Sequence, residues 1–167
     1  PWFLLARFGS IENCDKPLFT FCVYCNMNIG DSLPTFELKD DKGNAFKSSS
    51  LNGKPSVIYF YPKDETAGCT AQACSFRDSF EEFSEKGIEV IGISSDSVES
   101  HAKFKEHHRL PFMLLADAKK TVRNLFGVKG NLLGLIPGRE TFVFNSEGTL
   151  IHKFESQINV TKHVNED

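Results

Sequence analysis

The sequence lacks the features of several protein classes. Its 167 residues contain no apolar run near the roughly 20 residues that a helix needs to cross a bilayer. Positive charge is not in excess, because the net charge is -3 and the isoelectric point is near 6.0. We therefore expect neither a nucleic-acid-binding surface nor a surface for anionic membranes.

Patterns for metal ions and for bound phosphates are also missing. The histidines show no H-E-x-x-H or comparable ligand spacing, so no metal site is predicted: His101, His107, His108, His152 and His163. The adjacent pair among them, His107 and His108, is expected to cap the C-terminal end of a helix. Gly127, Gly130 and Gly134 do not form G-x-G-x-x-G and indicate a loop that ends near Gly138. No cofactor is expected.

Cysteine is present, but it does not form a regular framework. The five cysteines are Cys14, Cys22, Cys25, Cys69 and Cys74. An odd number with irregular spacing disfavours a small secreted protein held together by disulfides. Cys22 and Cys25 form a C-x-x-C pair, but no helix is predicted to begin there, and zinc would need a fourth ligand beyond Cys14. We interpret that pair as incidental.

With 40% hydrophobic residues, the chain can bury one core, so a single domain is predicted over 30–167. Residues 1–29 contain apolar stretches without a period and are interpreted as an extension of uncertain status. Glu12 and Asp15 are unusual for a transit peptide. The sequence begins with Pro1, so we expect a processed, trimmed or incomplete chain. A last helix that begins near Thr161 is expected to be cut short.

The most informative stretch predicts a strand, a loop and a helix in succession. Residues 56–61 are β-branched and aromatic and lie between two prolines, which is typical of a short buried strand. Residues 62–68 are polar and turn-forming. Apolar residues then recur at helical spacing: Ala73, Phe76, Phe80 and Phe83. Cys69 therefore lies in or next to the first helical turn, where unpaired N–H groups favour a thiolate over a thiol.

Cys74 follows Cys69 by five residues and lies on another face of the predicted helix. Positions five apart in a helix are separated by about 8.7 Å between Cα atoms, whereas disulfides rarely tolerate more than about 7 Å. The two sulfurs cannot bond while the helix is wound. They could bond if Cys69 were oxidised and the first turns unwound, so a conditional disulfide is favoured over a permanent one.

The remaining elements alternate between strands and helices. A second continuous apolar run, 88–94, predicts a strand that is parallel to 56–61. Residues 97–108 predict a helix capped by Asp96 or Ser97, and shorter elements are expected at 112–115 and 119–126. Turn residues at 41–44 and 145–148 predict two hairpins. The fold class is therefore α/β, with a mixed central sheet flanked by helices.

The stretch around Cys69 resembles the active site of the peroxiredoxins. Pro62-x-x-x-Thr66-x-x-Cys69 matches their pattern, and the Cys-x4-Cys spacing is similar to the atypical two-cysteine subgroup, the bacterioferritin-comigratory-protein or peroxiredoxin Q type. The likeness extends over about four-fifths of the chain and includes Pro137-Gly-Arg139-x-Thr141. Ala67 stands where the family usually has proline. The resemblance implies a thioredoxin-like fold and a monomer.

By this resemblance, the chain is a thiol-dependent peroxidase that reduces hydrogen peroxide and alkyl hydroperoxides. Cys69 would be the peroxidatic cysteine and Cys74 the resolving thiol, with a Cys69–Cys74 disulfide reduced by thioredoxin or a similar dithiol. Thr66 would present its hydroxyl to the sulfur and the peroxide, Arg139 would supply a cation, and Pro62 would shield the sulfur from water. The 127–138 loop is similar to that of plastid and cyanobacterial members, which indicates a chloroplast rather than the cytoplasm.

Two other functions are compatible with the residues alone. Cys69 and a histidine could form the pair of a cysteine hydrolase, which would turn over an acyl substrate without an oxidant. Alternatively, Cys14, Cys22 and Cys25 could belong to a redox sensor or a zinc-stabilised binding module, which would contain stoichiometric metal.

Overall fold

The computed structural model describes residues 26–130 and 138–155. These residues form one mixed sheet of seven strands, together with four α-helices and a short 3-10 helix. The strands are β1 (Glu37–Asp40), β2 (Ala45–Lys47), β3 (Ser56–Phe60), β4 (Glu89–Ser94), β5 (Met113–Ala116), β6 (Glu140–Phe144) and β7 (Leu150–Glu155). The helices are α1 (Ala67–Asp78), α2 (Phe80–Glu85), α3 (Val98–His108) and α4 (Thr121–Leu125), with the 3-10 helix at Ser48–Leu51.

The two apolar runs of the sequence form neighbouring central strands. The strand order is β2-β1-β5-β4-β3-β6-β7. β3 and β4 are parallel, with Ile58 opposite Ile91, and α1 and α2 lie between them in the chain. Every residue of β3 is buried, as is all of β4 after its first residue. The predicted α/β fold with a mixed sheet and the predicted parallel pairing are confirmed.

Both faces of β3 are covered, because its side chains alternate between two apolar clusters. Ile58 and Phe60 pack on one side with Phe126, which follows α4. Val57 and Tyr59 pack on the other side, together with side chains of α1, α2 and α3. The helix that carries Cys69 is therefore held against the sheet by a buried aromatic layer.

The helix predicted from the spacing of Ala73, Phe76, Phe80 and Phe83 is divided in two. α1 ends at Asp78, and Ser79, with φ -96° and ψ 4°, leads into α2 at Phe80. The spacing does not reveal this break because Phe76 and Phe83 pack into the same cluster on either side of it. Their rings lie 6.1 Å apart.

Other predicted elements are confirmed with small changes of bounds. Both hairpins form, as β1–β2 and β6–β7. The hydroxyl of Ser97 accepts a hydrogen bond from the backbone N–H of Ser100 and caps α3. Within the described residues, no helix is long and apolar enough to cross a membrane. The helix expected near Thr161, most of the 127–138 loop, and Cys14, Cys22 and Cys25 lie outside those residues.

Candidate active site

Cys69 lies in the first turn of α1, directly after the loop that leaves the C-terminal end of β3. Its side chain is only 2% exposed, and it is a free thiol. The carbonyl of Thr66, the residue before α1, accepts the backbone N–H of Thr70 and so begins the helical ladder. This places a buried sulfur among N–H groups of a helix N-terminus, which have partial positive charge.

Arg139 reaches the sulfur from the far end of the chain. It comes immediately before β6, which is antiparallel to β3 with Glu140 opposite Phe60. That register brings Arg139 to the edge of the sheet from which the Cys69 loop leaves. Its guanidinium Nη2 donates to Cys69 Sγ over 3.3 Å, and the residue is 5% exposed. A buried cation therefore faces the sulfur directly.

Gln72 holds this arginine in place and was not found by the sequence reasoning. It lies three residues after Cys69, on the same side of α1, and is fully buried. Its Oε1 accepts a hydrogen bond from Arg139 Nη1, which also points to the carbonyl of Gly68 over 3.5 Å. The i+3 spacing from Cys69 is the only local signal for this contact.

A second buried arginine positions both ends of the site. Arg123 of α4 donates through Nη2 to the carbonyl of Tyr61 and through Nη1 to the carbonyl of Gly138, over 2.7 Å and 2.8 Å. Tyr61 begins the loop to Cys69, and Gly138 precedes Arg139. Burial lowers the pKa of Arg123 despite the nearby carboxylates of Asp117 and Glu140. No sequence motif indicated this role, because the contacts join distant segments.

The loop before Cys69 is anchored to α3 through a buried acid. Asp64 Oδ2 lies 2.9 Å from His101 Nδ1, while Asp64 Oδ1 accepts from the Tyr61 hydroxyl over 2.7 Å. His101 Nε2 lies 3.2 Å from the carbonyl of Leu115. Both ring nitrogens of His101 therefore face oxygen atoms, one of the Asp64 carboxylate and one of the Leu115 carbonyl.

The surroundings of Asp64 favour the charged form of its carboxylate. Burial alone would raise the pKa of Asp64, but hydrogen bonds from His101, Tyr61 and Ser100 outweigh it and hold that pKa below its usual value. Burial also raises the pKa of Tyr61 well above its usual value, so its phenol stays protonated and donates. The loop is thus fixed two residues after Pro62.

Three other predicted residues, Thr66, Pro62 and Cys74, make no hydrogen bond to the sulfur in this structure. The hydroxyl of Thr66 donates to the carbonyl of Lys63 over 3.0 Å, not to Cys69, and its residue is exposed. Pro62 is half-buried and follows the buried Tyr61. Cys74 is a half-buried free thiol in the middle of α1, so both cysteines lie in one wound helix.

Two donors of this cluster have no hydrogen-bond partner among the described residues. They are Arg139 Nε and Gln72 Nε2, and both are buried. Buried polar groups are normally satisfied. The two donors belong to the side chain that contacts Cys69 and to the side chain that holds it, so each retains one unused donor.

Comparison with known proteins gives consistent matches. The model of the AhpC/TSA family matches residues 29–153. Peroxiredoxin Q, chloroplastic, from Sedum lineare is 44% identical over 158 residues, which cover 95% of this chain and 85% of that protein.

Solved structures agree with this similarity. Peroxidoxin BcpB from Mycobacterium tuberculosis has a TM-score of 0.76 and 40% identity, covering 83% of this chain and 92% of its own. The bacterioferritin comigratory protein of Xanthomonas campestris, which was studied for its alkyl peroxide reduction activity, has a TM-score of 0.71 and 28% identity. That match covers 81% of this chain and 93% of the other.

Proposed function

The chain belongs to the AhpC/TSA family and is a peroxiredoxin of the Q type, and from this premise we propose that Cys69 is its peroxidatic cysteine. The family and the thioredoxin-like fold predicted from the sequence are confirmed, and the enzyme is a thiol peroxidase. The observation that carries the assignment of the nucleophile is the contact of 3.3 Å between Arg139 Nη2 and Cys69 Sγ at the start of α1.

In the first step, the Cys69 thiolate attacks one oxygen of the peroxide. A sulfur–oxygen bond forms, the O–O bond breaks, and the sulfur is oxidised to sulfenic acid. The other oxygen leaves as hydroxide or alkoxide and takes up a proton to become water or alcohol. Arg139 stabilises the negative charge on the sulfur before the attack, and its fork of donors can follow that charge onto the oxygens.

The unpartnered donors support this step. Arg139 Nε and Gln72 Nε2 have no partner among the described residues, and we propose that they donate hydrogen bonds to the oxygens of a bound peroxide. Thr66 can contribute a third only after its hydroxyl releases the carbonyl of Lys63. Pro62 lies at the start of the same loop and is proposed to limit access of water to the sulfur.

In the second step, the Cys74 thiol condenses with the sulfenic acid. A disulfide forms between the two sulfurs, and the sulfenic oxygen leaves as water. Both cysteines belong to α1, and a wound helix holds their Cα atoms about 8.7 Å apart. Disulfide formation therefore requires local unwinding of α1, because disulfides rarely span more than about 7 Å between Cα atoms.

Recycling, substrates and location complete the proposal. A dithiol reductant such as thioredoxin reduces the disulfide, and hydrogen peroxide and alkyl hydroperoxides are the substrates. The alkyl peroxide reduction reported for the Xanthomonas campestris relative supports the second substrate class. We place the enzyme in the plastid, since relatives at 44–47% identity are named chloroplastic. The active form is proposed to be a monomer.

The decisive experiment is a coupled assay of peroxide-dependent NADPH oxidation with thioredoxin and its reductase. The wild-type chain is expected to turn over many equivalents of peroxide, and peptide mapping after oxidation is expected to recover a Cys69–Cys74 link. Cys69→Ser should abolish turnover. Cys74→Ser should stop turnover after one round while leaving a trappable sulfenic acid. Full turnover by the Cys69→Ser variant would refute the assignment.

The unwinding step has its own measurement. Because α1 contains roughly a third of the helical residues described, oxidation is expected to lower the far-UV circular dichroism signal of helix visibly. The Cys74→Ser variant treated with the same peroxide is the control and should keep its signal. An unchanged spectrum in a sample with a mapped Cys69–Cys74 disulfide would contradict local unwinding.

The cysteine hydrolase is not favoured by any contact. Cys69 bonds to Arg139, while His101 bonds to Asp64 and Leu115. No histidine of 26–130 or 138–155 hydrogen-bonds to Cys69.

A further inference from the structure

A second cluster of chemically active side chains lies on the surface, outside the cysteine site. Glu65 belongs to the loop before α1, and His107 and His108 are the last two residues of α3. Glu65 Oε1 lies 3.1 Å from His107 Nδ1, and Glu65 Oε2 lies 3.1 Å from His108 Nε2. One possible ligand atom from each of the three residues lies within 4.8 Å of the other two.

Two imidazole nitrogens and one carboxylate oxygen are a ligand set that suits zinc. Zinc–nitrogen and zinc–oxygen bonds are about 2.0–2.2 Å long, which puts tetrahedral ligand atoms about 3.3 Å apart. Each histidine already lies at about this distance from one oxygen of Glu65, Oε1 for His107 and Oε2 for His108, and one ligand atom from each of the three residues lies within 4.8 Å of the other two. The two histidine nitrogens can approach each other by rotation of the His107 ring, because that side chain is 69% exposed.

The fold holds these residues in position before any ion binds. The His108 ring packs edge-on against Phe104 with centroids 5.0 Å apart, and its backbone carbonyl accepts Arg77 Nη1 over 2.9 Å. Glu65 adopts a left-handed backbone with φ 58°, which a glutamate seldom does. Its neighbour Asp64 is fixed by the buried His101. The cluster is therefore built by the tertiary structure.

The electrostatic surroundings favour a cation at this point. The carboxylate of Glu65 faces both imidazole rings, with one oxygen directed at each. The C-terminal end of a helix has partial negative charge from its unpaired carbonyls, which also attracts cations. Adjacent histidines at a helix end do not match any linear metal motif, so sequence reasoning predicted no site here.

We propose that Glu65, His107 and His108 bind one zinc ion, with water completing its coordination. The bound ion ties the loop that precedes Cys69 to the end of α3. The three residues take no part in the peroxide chemistry. The zinc site is therefore separate from the cysteine site, and zinc can bind or be removed without changing the catalytic residues. Its existence does not depend on the proposed function, since zinc binding and peroxide turnover are measured independently.

The test is a titration of the reduced 167-residue chain with Zn²⁺, followed by nitrogen-15 NMR of the imidazole rings. The signals of His107 and His108 are expected to shift together and to saturate with a single ion, while those of the buried His101 and of His152 on β7 stay in place. Zinc held only by cysteine thiolates would leave all the imidazole signals unchanged and would overturn the proposal.

Matched variants test each ligand. Glu65→Gln keeps the shape of the side chain but removes its charge, and it is expected to weaken zinc binding to the histidines by at least about tenfold. His107→Ala should do the same, and His152→Ala, another exposed histidine, should have no effect. Zinc affinity of Glu65→Gln equal to that of the wild type, or a shift of His107 without His108, would refute a shared site.

Discussion

Arg139 is the residue that brings a full charge to the sulfur. It is 5% exposed, its Nη2 donates to Cys69, and its Nη1 donates to Gln72. A lysine would keep the charge but could not make both contacts, because its ammonium is a single point and not a planar fork. Replacing Arg139 by lysine therefore keeps the positive charge and removes at least one of the two contacts.

The substitution Arg139→Lys is expected to slow the reaction of Cys69 with peroxide roughly 10- to 150-fold. The reason is the loss of one charge-assisted hydrogen bond, worth about 1.5–3 kcal/mol. Competition with a second peroxidase for hydrogen peroxide measures the rate constant. Arg109→Lys, an exchange at an exposed position, is the control and should leave the rate unchanged. A rate within twofold of wild type for Arg139→Lys would contradict the role.

Asp64 and His101 are a buried, closely paired acid and imidazole whose members depend on each other. Their side chains are 2% and 0% exposed, and their atoms lie 2.9 Å apart. Removing one partner leaves the other charge buried and unpaired, which typically costs about 3–5 kcal/mol. Removing both charges avoids that cost.

The variant His101→Phe is therefore expected to lose about 3–5 kcal/mol of unfolding free energy, since it strands the carboxylate of Asp64. The double variant His101→Phe with Asp64→Asn should be more stable than His101→Phe alone. Urea unfolding of the wild type, the two single variants and the double variant provides the four values. Additive losses would show that the pair is not coupled.

At the scale of the element, the start of α1 departs from the usual pattern of the family. Ala67 is the first helical residue, and Thr66 before it has an extended backbone with φ -83° and ψ 142°. A proline is tolerated in the first turn of a helix, and it prefers an extended residue before it. The backbone at position 67 is therefore compatible with proline.

We expect Ala67→Pro to raise the unfolding free energy by about 0.4–1 kcal/mol, because proline restricts the unfolded chain. Thermal unfolding of the reduced protein measures the change. Ala71→Pro, an exposed alanine inside the same helix, is the matched control and should destabilise by about 3 kcal/mol or more. Destabilisation of similar size by both variants would show that Ala67 does not begin the helix.

The elements that could be predicted from the sequence are those specified by their own residues. The central strands β3 and β4 are continuous apolar runs, and Ser97 caps α3 as its local pattern indicates. The break at Ser79 could not be predicted, because the apolar period continues through it. Long-range contacts decided that point, and no local pattern encodes them.

The same distinction applies to the site. Cys69 and Cys74 follow from spacing along one helix, whereas Arg139 was identified only through the family pattern. Gln72, Arg123 and the Asp64 anchor were missed, because their partners lie on segments that are distant in the sequence. Thr66 was assigned to the sulfur from its motif, but its hydroxyl bonds to Lys63.

At the scale of the whole molecule, the buried carboxylates contribute to folding stability with opposite dependences on pH. Burial raises the pKa of Glu140, although Lys129 and Lys153 contact it, and burial likewise raises that of Asp117. A group whose pKa is raised by folding favours the folded state at low pH, and this contribution is lost as the pH rises through its folded value. Asp64 has the opposite sign, and its contribution fades only in acid below about pH 4.

Glu140→Gln is accordingly expected to gain stability relative to the wild type as the pH rises from about 4.5 towards neutrality. Glutamine keeps the acceptor for the Lys129 N–H but has no proton to lose. Denaturant unfolding at several pH values between these limits measures the difference. The exposed Glu37→Gln serves as the control. A difference that stays constant with pH would contradict the raised pKa of Glu140.

The pairing of β6 with β3 also fixes when the cysteine becomes reactive during synthesis. A ribosome-bound chain that ends before residue 139 already contains the strand, the loop and the helix of Cys69, but not the guanidinium that faces the sulfur. We expect its thiol to be a weaker nucleophile than in the finished protein, because the cation that stabilises the thiolate is missing. The pairing of β6 with β3 is thus the folding step that brings Arg139 to Cys69 and makes the sulfur reactive.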